Sequence, residues 1–63
     1  MQLFKSKYRT RIEAKIVELA TDRAFYKNRE IKAIHENNQK ERVHFIVLRG
    51  DCESKIELLR SLL

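Results

Sequence analysis

The sequence predicts an all-α protein: a single domain formed by an antiparallel two-helix hairpin, expected to dimerise into a four-helix bundle. Three observations support this. The 63 residues include no proline and one glycine, Gly50, so few turns can be written. Apolar residues step by threes and fours on both sides of one polar tripeptide, Asn37-Asn38-Gln39. A core in so short a chain rarely supplies more than about 3–5 kcal/mol without a disulfide, a metal or a partner, which makes self-association the default route to stability.

In order along the chain, the reading is a basic N-terminal overhang (1–12), a first helix (13–36), a turn (37–39) and a second helix (40–63). Helical structure itself is expected over about 6–36 and 40–62. In the first helix, Phe4, Tyr8, Ile12, Ile16, Leu19, Tyr26, Ala33 and Ile34 keep helical spacing once Arg23 and Glu30 fill the intervening slots. Asn tolerates the left-handed backbone that ends a helix, which places the turn at Asn37-Asn38. In the second helix, Phe45, Leu48, Cys52, Ile56, Leu59 and Leu63 form one narrow stripe. Burial between the helices is expected for Ile12, Ile16, Leu19, Tyr26, Phe45, Leu48, Cys52, Ile56, Leu59 and Leu63.

A β-α-β-α reading competes. Residues 43–49 are rich in β-branched and aromatic types, Gly50-Asp51 could end a strand and cap a helix, and charges alternate at Lys5, Lys7, Arg9, Arg11 and Glu13. It needs more turn signals than the chain contains. The stripe from Phe45 to Leu63 also crosses Gly50 without losing phase, at a cost of about 1 kcal/mol relative to Ala.

A turn centred on Asn38 sets residue i roughly opposite residue 76 minus i, so Leu63 falls near Glu13 and residues 1–12 have no partner. That overhang holds Lys5, Lys7, Arg9 and Arg11 and no acid, a net of +4, whereas residues 13–63 hold ten bases and nine acids. Its cations alternate with Phe4, Ser6, Tyr8 and Thr10. Cations neutralise phosphates, hydroxyls bond phosphate oxygens and aromatics stack on bases, so any polyanion, nucleic acid included, is expected at Lys5, Lys7, Arg9 and Arg11.

A second apolar set lies off the main stripe: Val17, Phe25 and Ile31 on the first helix, Val43, Val47 and Leu58 on the second. A solvated face does not ordinarily carry so many large apolar groups, and burial against another copy or a larger protein is the expected use.

Other function classes find little support. One cysteine cannot close a loop within its own chain, and no apolar run approaches a membrane span. No signal peptide opens the chain, so a cytoplasmic location is expected. His35 and His44 lie near the turn beside Glu36 and Glu41, without the spacing of a metal site. Cys52 sits on the buried stripe, where a thiol behaves as a small apolar group. Arg49-Gly50-Asp51 falls inside a helix rather than on an adhesive loop. One glycine cannot build a phosphate-binding loop, and pairs such as Glu18-Asp22, Glu36-Lys40 and Glu53-Glu57 follow a solvated helix face. No catalytic residue, metal or cofactor is expected.

Phe25-Tyr26-Lys27, Ile31-Lys32-Ala33-Ile34, Glu36-Asn37-Asn38, Leu48-Arg49-Gly50 and Lys55-Ile56-Glu57-Leu58-Leu59 resemble the short α-hairpin proteins of bacterial phages and mobile elements. The resemblance covers about residues 20–63 and implies a helical hairpin that binds and modulates a host protein. It carries no functional residues over, and the basic segment lies outside it.

Overall fold

Two amphipathic stripes separated by a short polar break can bury their apolar sides only against each other, and the chain folds that way. The computed structural model describes residues 7–63. Helix α1 (Lys7–His35, 29 residues) and helix α2 (Gln39–Ser61, 23 residues) pack antiparallel into a rod. No strand occurs among the described residues, and residues 43–49 lie within α2. The β-α-β-α alternative therefore falls: β-branched residues lower helix propensity only slightly, and burial of the Phe45–Leu59 stripe outweighs that.

The turn shows how three polar residues reverse the chain. Asn37 is the only non-glycine with positive φ (55°) among the described residues. Its N–H donates to the Ile34 carbonyl at 3.1 Å, and that of Asn38 donates to the Ala33 carbonyl at 2.8 Å. These two bonds form the Schellman closure of α1. Asn38 then caps α2, its Oδ1 accepting from the Glu41 N–H at 3.1 Å and its backbone carbonyl from the Arg42 N–H at 3.0 Å. Glu41 in the first turn of α2 and Arg60 in its last, with Lys32 and His35 at the end of α1, complement the helix dipoles.

The core is thin. Ile12, Leu19, Ala33, Cys52 and Ile56 are buried; Leu19, Cys52 and Ile56 form its centre, with Ile16, Ala20, Tyr26 and Leu59 packed around them. Towards the turn, Tyr26 and Phe45 stack across the helices with centroids 6.1 Å apart. Arg49 bridges them as well: its Nη2 lies 3.0 Å from Glu30 Oε1 and its Nε donates to the same oxygen at 3.1 Å, while Nη1 lies 3.8 Å from Glu53. Glu30 occupies a charged slot in the α1 stripe, and Arg49 supplies its counter-charge.

One expectation about burial is corrected. Leu63 is 45% exposed, because α2 ends at Ser61 and the last residue no longer follows the helical stripe. Ile12 is buried as expected, so cover reaches into the segment that the sequence reads as unpartnered (1–12). Contacts such as Leu19 with Ile56, Tyr26 with Phe45 and Glu30 with Arg49 set a register near i opposite 75 minus i, which brings the end of α2 level with residue 14 and Leu63 level with residue 12. The uncovered segment is thus a residue shorter than the sequence implies.

Candidate interaction surfaces

The six off-stripe residues are all exposed: Val17 66%, Phe25 56%, Ile31 42%, Val43 48%, Val47 63% and Leu58 65%. Tyr8, Ile34, Leu62 and Leu63 add to the exposed large apolar groups, so the apolar side chains outside outnumber the five inside.

Their directions follow from helix geometry at about 100° per residue. Val17 and Ile31 stand two positions from buried Leu19 and Ala33, roughly 160° away from the core direction. Val43 and Val47 stand two positions either side of Phe45 and likewise point outward. Because the helices turn their core sides toward each other, the outer edge of α1 and that of α2 face opposite ways. One second hairpin laid along this rod covers one edge, not both. Phe25 adjoins Tyr26 in sequence, about 100° round, on a broad face rather than an edge. Leu58 lies between the same broad face and the α2 edge.

On that broad face the fold builds a strip the sequence did not announce. The Arg29 guanidinium carbon lies 5.9 Å from the Phe25 ring centre and 5.5 Å from that of Phe45. Phe25 meets Tyr26 edge-on at 5.7 Å, and His44 meets Phe45 edge-on at 5.1 Å. Beyond His44 a shallow depression is lined by Asn38, Lys40, Glu41 and His44.

Of the basic segment, Lys7, Arg9 and Arg11 are exposed on the first turns of α1, which hold no acid in the first turn; Lys5 lies outside the described residues. Arg9 faces Glu13 at 3.7 Å. Folding redistributes the charge read along the chain. The open end (7–16 with 56–63) holds five bases and two acids, a net of +3. The middle (17–26 with 51–55) holds two bases and four acids, a net of −2. The turn end (27–50) holds six bases and three acids, again +3. The overhang is therefore not the only positive region. Lys15, Lys55 and Arg49 are engaged by Glu18, Asp51 and Glu30, whereas Lys27, Arg29, Lys32, Lys40 and Arg42 form no ion pair among the described residues.

The reactive side chains are placed conservatively. Burial, reinforced by Asp22 and Asp51, raises the Cys52 thiol above its usual pKa, which holds it as a thiol rather than a nucleophilic thiolate. Lys55 is also raised, through its hydrogen bond with Asp51. Arg49-Gly50-Asp51 is helical, with Arg49 held by Glu30 and Asp51 by Lys55 at 2.9 Å. His35 and His44 are both exposed, and among the described residues no three His, Cys, Asp or Glu side chains gather as a metal site. No helix among them is long and apolar enough to cross a membrane.

Compared with protein-family models, with curated proteins and with solved structures, the chain matches none.

Proposed function

We propose that this chain is a non-enzymatic interaction module that associates with further copies of itself, or docks on a larger protein, through Val17, Phe25, Ile31, Val43, Val47 and Leu58. The observation that carries this is the imbalance between five buried side chains and a larger set of exposed apolar ones. A hairpin with so thin a core gains most by covering its edges. A four-helix dimer joined along one edge is the smallest assembly of this kind, and it leaves the other edge for another copy or a larger protein. Sedimentation equilibrium tests the self-associating form. A species of two or more chains is expected at micromolar concentrations, with a melting temperature that rises with concentration. A stable monomer at high micromolar concentration would remove self-association and leave docking on a larger protein.

A second reading, polyanion binding at Lys5, Lys7, Arg9 and Arg11, draws on the exposed Lys7 and Arg11 at a helix start without an acid. Four phosphate contacts on duplex DNA correspond to a log–log salt slope of about −3.6. Changing the four residues to Gln should abolish such binding while leaving helicity intact.

A further inference from the structure

The broad face at the turn end joins features from both helices that lie far apart in sequence. Phe25, Arg29 and Lys32 follow one ridge of α1 at steps of four and three, and Lys40 and His44 follow one ridge of α2. Phe45 lies between them, with the Arg29 guanidinium carbon 5.5 Å from its ring centre and His44 edge-on to it. Two properties distinguish this strip from an ordinary charged surface. Arg29 is held by two rings rather than by a carboxylate, so its N–H donors stay available to an anion. Phe25 leaves more than half its surface uncovered beside that cation.

We propose that Phe25, Arg29, Lys32, Lys40 and His44 form a binding strip for single-stranded nucleic acid. This goes beyond the self-association reading, and it is a site separate from the N-terminal overhang. A base stacks on the open face of Phe25, while Arg29, Lys32 and Lys40 meet the phosphates that follow it toward the depression at Asn38. Of the carboxylates at this end, Glu41 lines the depression and Glu30 is taken by Arg49. The uncovered ring selects for a ligand with an accessible π-face. A duplex hides its bases and an acidic peptide offers a π-face only where it carries an aromatic side chain, whereas a single strand offers one beside every phosphate and fits best. No side chain here is placed to read base edges, and binding is indifferent to sequence.

Fluorescence anisotropy with a labelled oligothymidylate and an abasic oligomer of equal length tests the site, at about 50 mM salt where phosphate contacts are strong. The parent should prefer the thymidylate. Phe25→Ala should weaken binding about ten-fold or more and erase that preference, since stacking contributes most of it. Arg29→Gln should weaken both oligomers, and the overhang variant with four Gln should retain the preference. Circular dichroism verifies that each variant keeps its helicity, and Arg29→Gln, at an exposed position, serves if Phe25→Ala does not. Equal affinity for the two oligomers, unchanged affinity in both strip variants, or no binding by the parent would overturn the proposal. Preference lost only in the overhang variant would move the site to residues 5–11. Phe25 serves in both readings, so sedimentation of the same samples separates them. Phe25→Ala should keep the parent's mass, and loss of binding that accompanies loss of association would assign Phe25 to the self-association surface and overturn the strip.

Discussion

Gly50 lies inside α2 with ordinary helical backbone, and a Cβ built there would meet nothing within 4 Å. No structural need for glycine opposes the cost of its backbone freedom, so Gly50→Ala should stabilise the fold by about 1 kcal/mol. For a domain this small that raises the melting temperature by roughly 4–8 °C, measurable by circular dichroism. A drop would show a close neighbour in the assembled state. Cys52 makes an opposite kind of statement. The fold favours its neutral form, so its pKa is higher folded than unfolded. Its contribution is complete below the unfolded value, about pH 8.5, and declines as pH rises through the folded one. Comparing Cys52→Ser with the parent across that range isolates the effect: the parent should lose stability with rising pH, and the variant should lose less. Parallel curves would refute it.

At the scale of elements, the hairpin depends on the pair Asn37-Asn38. Asn37 holds a left-handed backbone that a Cβ-bearing residue without a local polar group adopts at a cost of roughly 1–2 kcal/mol. Asn37→Ala should therefore destabilise and Asn37→Gly should not, and Asn38→Ala should cost about 1 kcal/mol through loss of the cap on the Glu41 N–H. Thermal denaturation of the three variants checks the ordering Gly above Ala at position 37. The Glu30–Arg49 bridge joins the same two elements, but both side chains keep some solvent contact (14% and 24% exposed). A pair so placed sets register more than it adds stability.

For the whole molecule, the opposed outer edges set what assembly can look like. Val17 and Ile31 on α1 and Val43 and Val47 on α2 cannot meet one partner hairpin together. Charging a single edge, with Val17→Glu and Ile31→Glu, should leave no species larger than the dimer in sedimentation equilibrium. Charging both edges, with Val43→Glu and Val47→Glu added, should give monomers that unfold at lower temperature. A monomer after charging one edge would show that only that edge associates. The alternating charge along the rod, positive at both ends and negative between, belongs to this scale too, because folding lays residues 17–26 beside 51–55.

Most of the architecture was legible in the residues. Absent proline, a single glycine and stripes at three and four residues specify two helices, because backbone geometry makes those positions share a face whatever packs on them. Asn37 and Asn38 specify the turn for equally local reasons. The off-stripe apolar set was also readable, since periodicity tells which residues the core leaves out. Tertiary structure alone decided where each of those residues faces, for direction depends on how the two helices are rotated against each other. It also paired Arg49 with Glu30, nineteen positions away, and drew Arg29 between Phe25 and Phe45. The Arg29–Phe25 contact is an i,i+4 pair that helical spacing could offer, but Glu30–Arg49 and Arg29–Phe45 leave no periodic trace, because each joins different helices through a register that the turn and the buried Leu19, Cys52 and Ile56 establish together.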